Sequence, residues 1–140
     1  MATIINAENL LLGRLASIVA KRIMQGEEIR IVNAEKAIVS GRKAEILQKY
    51  HQRRARGSVE GGPFFPRRPD HIMKRSIRGM IPYKTRPGAE AFRRVRTYVG
   101  VPEEFAGFEM EILDEAHRNR LNKPRYLTLE AVSQNLGAKF

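Results

Sequence analysis

An α/β fold, organised as one compact domain, is what the sequence predicts. Three observations carry that expectation. The chain has 140 residues, the size of a single domain. Its apolar share of 42% is enough for a modest core. Short β-prone runs alternate with stretches of helical periodicity, the pattern of strands layered against helices.

The elements follow in order. Ala2 to Asn6 holds an apolar pair behind Thr3 and is bounded by turn-prone residues, which predicts a short strand. From Leu12 to Gln25, the residues Leu12, Leu15, Ala16, Val19, Ala20, Ile23 and Met24 recur at helical spacing. Arg14, Ser17, Lys21 and Gln25 take the other face, and Gly26 terminates the helix. Ile29 to Asn33 and Ala37 to Val39 read as the next two strands. Ser40 is placed to cap a helix reaching about Arg53, with Ile46, Leu47 and Tyr50 turned inward. Arg56 to Arg68 reads as a loop, because Gly57, Gly61, Gly62, Pro63 and Pro66 fall within it. Pro69 opens a helix with Asp70 in its first turn, ending near Met80 ahead of Pro82. A short helix through Ala91 and Phe92 leads to a fourth strand, Val95 to Val99. The stretch from Pro102 to Lys123 has no clear pattern. Thr128 caps a last helix, Leu129 to Leu136, closed by Gly137. There is no internal repeat and no clear linker.

Composition narrows the function. With no cysteine, disulfides, thiolate metal sites and thiol nucleophiles are all excluded, which suits a reducing compartment. No apolar run approaches the ~20 residues that cross a bilayer, and Glu8, Arg14 and Lys21 interrupt any secretory signal. A soluble, intracellular protein is expected.

The net charge is +11, and its distribution says more than its size. Residues 42–96 carry 16 basic and 4 acidic side chains, a net +12. The segment before them is +1 and the segment after them −2. Charge of one sign, so concentrated, repels itself unless a polyanion neutralises it. Nucleic acid is the first candidate partner and an anionic membrane the second. Arginine outnumbers lysine in this region, which suits bidentate contacts with phosphate.

The candidate binding residues come from this stretch. Arg53, Arg54, Arg56, Arg67 and Arg68 flank the Gly/Pro loop. Lys74, Arg75 and Arg78 stripe one face of the helix that follows, and Lys84 and Arg86 sit in the next turn. Cations borne on both loop and helix can follow an irregular phosphate surface, as folded RNA presents. The plain alternative is a solvated basic face. Arg42 and Lys43 lie at a predicted helix N-terminus, where the helix dipole disfavours positive charge. Either a phosphate sits there, bound by free amides and side chains together, or both side chains point into water. Phe64 and Phe65 either stack on unpaired bases or staple their loop to the body.

Catalytic signals are sparse. His51, His71 and His117 lack metal-ligand spacing. Glu109, Glu111, Asp114 and Glu115 cluster without a partner base, as a solvated acidic face or a protein contact would. Gly41-Arg42-Lys43 lacks the upstream glycine of a phosphate loop, and there is no dinucleotide fingerprint or serine elbow. An enzyme acting on RNA would need such groups, and a DNA regulator would need a reading helix with a clear partner. A binding protein without catalysis, metal or cofactor is expected.

Several blocks resemble a known family. Ile77-Arg78-Gly79-Met80-Ile81-Pro82, then Gly88, then Val95-Arg96-Thr97-Tyr98-Val99-Gly100 is similar to the signature of the universal large-subunit ribosomal protein number thirteen family. Leu12-Gly13-Arg14-Leu15-Ala16-Ser17 resembles its first helix. Ile31-Val32-Asn33-Ala34-Glu35-Lys36 and Val39-Ser40-Gly41 resemble its second and third strands, and Arg67-Arg68-Pro69 the start of its basic helix. The resemblance covers most of the chain to Gly100, in the same order. Tyr126-Leu127-Thr128-Leu129 and Val132-Ser133 resemble the archaeal and eukaryotic branch. Eukaryotic members usually continue with a long helical tail, so an ending at Phe140 makes the archaeal form the expectation.

The resemblance implies a three-layer α/β/α fold around a small four-stranded sheet. It implies a structural constituent of the large ribosomal subunit that binds large-subunit rRNA during assembly, with no cofactor and no small-molecule substrate. Its place would be the cytoplasmic ribosome, beside neighbouring large-subunit proteins. Gly79, Pro82 and Gly88 are then expected to serve backbone geometry rather than RNA contact.

Overall fold

The computed structural model describes residues 2–55, 66–118 and 125–138, the side chains of Arg54 and Ala55 excepted. Five strands and five α-helices follow one another as β1 (Thr3–Asn6), α1 (Leu12–Met24), β2 (Ile29–Val32), β3 (Ile38–Ser40), α2 (Lys43–Ala55), α3 (Pro69–Arg78), α4 (Arg86–Arg93), β4 (Val95–Thr97), β5 (Tyr126–Thr128) and α5 (Leu129–Asn135) among the described residues. The class is α/β, as the alternation predicts.

The main sheet has three strands in the order β1-β2-β4, all parallel, with Ile5 opposite Ile31 and Ile31 opposite Thr97. Parallel neighbours need crossovers. α1 makes the first, and the long excursion through β3 and α2 to α4 makes the second. The implied four-stranded sheet is divided differently: β3 leaves the main sheet and pairs antiparallel with β5 as a separate ribbon, Ser40 opposite Tyr126. A three-residue strand has no pattern of its own long enough to announce this partner.

The core gathers on one face of the main sheet. Ile5, Ile29, Ile31 and Val95 alternate onto that face, where Leu15, Val19 and Ile23 of α1 and Ile72, Met73 and Ile77 of α3 complete the cluster. Leu129 and Val132 of α5 and Ile46 and Tyr50 of α2 extend it beneath the ribbon. Leu47 is only half-buried and Met24, at the end of α1, is exposed.

Two of the sequence blocks meet at the end of β2. Asn33 adopts the left-handed conformation (φ 57°), and its side-chain amide donates to the Asn6 side chain at 3.0 Å. That turn aims the buried Glu35 carboxylate at the Gly100 N–H, which it accepts at 2.8 Å, while the Asn33 N–H donates to the Gly100 carbonyl at 2.9 Å. The two sequence blocks thus clasp the chain as it leaves β4.

α1 ends as a Schellman motif. Gly26, at φ 101°, lets the Glu27 N–H return to the Arg22 carbonyl at 3.2 Å. The same geometry brings Glu27 beside Arg22, whose Nε and Nη2 donate to its carboxylate at 2.7 and 2.6 Å. Arg22 also holds Glu111 through two bonds of 3.0 Å. Its guanidinium is therefore raised far above its ordinary pKa, by the Glu27 hydrogen bonds first and the Glu111 bonds second. The Arg22 hydrogen bonds pull the Glu27 carboxyl below its usual range, against the opposing effect of burial. Arg22→Gln is expected to cost about 1–2 kcal/mol at neutral pH, the pairs being partly solvated. A carboxyl whose folded pKa is depressed stabilises above its unfolded pKa and loses that contribution as pH falls through the folded value. The gap between wild type and Arg22→Gln should therefore narrow in urea unfolding at about pH 3. An equal gap at both pH values would refute this assignment.

Candidate nucleic-acid interface

α3 builds the central part of the surface. Proline at its first position and Asp70 in its first turn start it as expected. Its buried residues Ile72, Met73 and Ile77 leave His71, Lys74, Arg75 and Arg78 on the opposite face. These four line one open groove with Pro66 and Phe92. The Lys74 ammonium stands 5.0 Å from the centre of the Phe92 ring, and the Arg78 guanidinium 4.7 Å from that of Tyr83. Rings beneath the cations fix the long side chains without neutralising them.

A second cleft, of about 380 Å³, lies between the start of α1, β3, α2 and the end of α3. Arg14, Lys49 and Arg53 line it over a floor that includes Leu11, Ile38 and Tyr50. Arg53 sits 5.4 Å from the Tyr50 ring centre. Burial pushes the Tyr50 phenol up and Arg53 draws it partly back, so the hydroxyl stays protonated at neutral pH. The N-terminus of α1 opens here with no side-chain cap and no acid in its first turn, so its free amides add to the positive field.

A third group forms where α2 begins. Ser40 does not cap this helix: it is held in the ribbon opposite Tyr126, and the Arg42 carbonyl accepts the Ile46 N–H at 3.0 Å, which makes Arg42 the cap residue. Arg42 and Lys43 are exposed and share a shallow depression with Arg125, whose carbonyl accepts the Gly41 N–H at 2.9 Å.

The remaining candidates are placed less closely. Arg67 and Arg68 are exposed at the approach to α3, with Arg68 3.3 Å from the Asp70 carboxylate. Lys84 and Arg86 are exposed around the start of α4, and Arg86 makes a solvent-facing pair with Glu90 at 3.4 Å. The Arg54 side chain, Arg56, Phe64 and Phe65 lie outside the described residues.

Arg14, Lys49 and Arg125 were not among the sequence candidates. Helical spacing puts Arg14 on the outer face of its helix, but no local pattern tells that β3 and α2 converge on it. Gly79 also departs from expectation. Its φ of −66° is ordinary, and an added Cβ would meet nothing closer than 3.7 Å, so the backbone does not require glycine there.

Among the described residues, no three histidine or acidic side chains gather to hold a metal ion. His51 bonds to Asn135, His71 lies 3.9 Å from Asp70, and His117 sits on a bridge to Leu10, three separate places.

The family model for ribosomal protein L13 matches residues 1–104. The chain belongs to the ribosomal protein L13 family. Among similar L13 proteins, the large ribosomal subunit protein uL13 of Methanosarcina barkeri is 51% identical over 139 residues, covering 99% of both chains. That of Methanopyrus kandleri is 50% identical over 96% of this chain and 86% of its own. That of Methanocaldococcus jannaschii is 48% identical, covering 99% of both. These L13 relatives are archaeal, and the likeness runs over nearly the whole chain.

Proposed function

We propose that this chain is a structural constituent of the large ribosomal subunit that binds large-subunit rRNA and supports subunit assembly. It is a ribosomal structural component and not an enzyme, working on the ribosome in the cytoplasm. Its partners are large-subunit rRNA and neighbouring large-subunit proteins. Residues 1–140 act as one rRNA-binding domain, with the principal basic region at about 53–86.

The observation that carries this reading is the α3 face, where Lys74, Arg75 and Arg78 line one groove, Lys74 and Arg78 each over an aromatic ring, on a helix anchored by its buried side. Arg53, Arg54, Arg56, Arg67, Arg68, Lys84 and Arg86 complete the phosphate-binding set. Arg42 and Lys43 bind a phosphate at the start of α2, joined by Arg125. The spacing of these groups over loops, helix faces and helix ends suits the irregular backbone of folded RNA.

The test is a salt titration. Binding to a large-subunit rRNA fragment should weaken about a thousandfold or more between roughly 50 and 200 mM salt, as for proteins with six to ten phosphate contacts. The chain should sediment with large subunits and wash off only at high salt. A flat titration would contradict the proposal.

A further inference from the structure

On the β1 side the sheet ends in an extended segment whose outer edge is uncovered among the described residues. Glu111 is joined to β1 through both backbone groups: the Asn6 N–H donates to its carbonyl at 3.0 Å, and its own N–H donates to the Ile4 carbonyl at 2.8 Å. Backbone groups of successive residues in such a segment point to opposite sides. Those of Met110 and Ile112 therefore point away from β1, and neither has a backbone partner among the described residues. Free edges are normally blunted by charge, proline or a covering element. Here the edge alternates Phe108, Met110 and Ile112 with Glu109 and Glu111. Ile112 and Phe108 are the most exposed large apolar residues described, at 57% and 51%.

The surroundings are acidic. Between Val101 and Arg118 the chain holds Glu103, Glu104, Glu109, Glu111, Asp114 and Glu115 against the single cation Arg118. Arg22 pairs with Glu111, while Glu103, Glu104, Glu109 and Glu115 are exposed. This field repels phosphate, so RNA is not the natural occupant. The edge also lies across the sheet from β4, against which the basic helix α3 packs.

We propose that residues 108–112 dock an extended, Lys/Arg-rich segment of a neighbouring ribosomal protein, a proposal that rests on the chain being a large-subunit constituent. The segment adds as a further strand, bonding to the free backbone groups of Met110 and Ile112. Its apolar side chains cover Phe108 and Ile112, and its cations face Glu109 and Glu115. Strand addition supplies affinity through the main chain, and the acids select a basic partner.

The experiment uses large subunits carrying the full chain with p-benzoylphenylalanine in place of Ile112. Irradiation should join it to a protein segment with several lysines or arginines. The added substitutions Glu109→Lys and Glu115→Lys should lower the yield several-fold, while the chain still enters the subunit. Crosslinking to rRNA overturns the proposal, as does crosslinking to a segment without excess positive charge. So does an absent or charge-insensitive crosslink in subunits that contain the chain. A chain that stays out of the subunit altogether overturns the constituent reading, and the docking proposal with it.

Discussion

Gly88→Ala is expected to destabilise the fold by about 3 kcal/mol or more, a shift of roughly 10 °C in thermal unfolding for a chain of this length. Gly88 lies in the first turn of α4, and a Cβ there would fall 1.8 Å from the Pro82 carbonyl oxygen and 2.3 Å from its carbon. That carbonyl cannot turn aside cheaply. It accepts the Thr85 N–H at 3.0 Å and the Thr85 hydroxyl at 2.7 Å, and the same hydroxyl accepts the Gly88 N–H at 3.3 Å. Relief would break the helix cap and move the turn that carries Tyr83, Lys84 and Arg86. Gly79→Ala is the control: with ordinary φ and free space, it should change stability by roughly 0.5 kcal/mol or less. Circular dichroism melts of both variants check the contrast. Equal melting points would mean that Gly88 does not make this close approach.

The combined variant Lys74→Gln, Arg75→Gln and Arg78→Gln should bind an rRNA fragment roughly a hundredfold more weakly near 100 mM salt, with a salt slope shallower by about two to three units. Helical periodicity alone puts these residues off the apolar face and predicts no cost in stability. The tertiary structure lays Lys74 on Phe92 and Arg78 on Tyr83, so about 1 kcal/mol should be lost for the two contacts together. Filter binding over a salt series, with a melt of the same preparation, separates the two effects. An unchanged slope would remove this face from the RNA surface. A loss of cooperative unfolding would mean that the rings matter more to the fold than to positioning the cations.

The strongly periodic parts were legible before the structure. The apolar spacing of α1 matches its buried residues through Ile23, α3 opens at Pro69 as predicted, and Gly26 and Thr128 end and start helices as their chemistry predicts. The errors share one cause. Ser40 has the chemistry of a helix cap, yet its pairing with Tyr126 holds it in a strand. The β5 strand has no local signature, because Tyr126–Thr128 is short and leads directly into α5. In each case a contact made far along the chain outweighed a local preference.

For the site, local sequence identified α3 and its basic stripe, since a helix displays its own faces. It could not find Arg14, Lys49 and Arg53 in one cleft, or Arg125 beside Arg42 and Lys43, because those groupings depend on how separate elements pack.

What the sequence by itself determined is the α/β class, the helices with strong apolar periodicity and the excess of cations over residues 42–96. All of these follow from residue type and near-neighbour spacing. Only the tertiary structure decided the split of the strands between a sheet and a ribbon, the gathering of distant cations and the open acidic edge at residues 108–112. These are fixed by hydrogen-bond pairing and burial between segments far apart in the chain, and no local pattern records them.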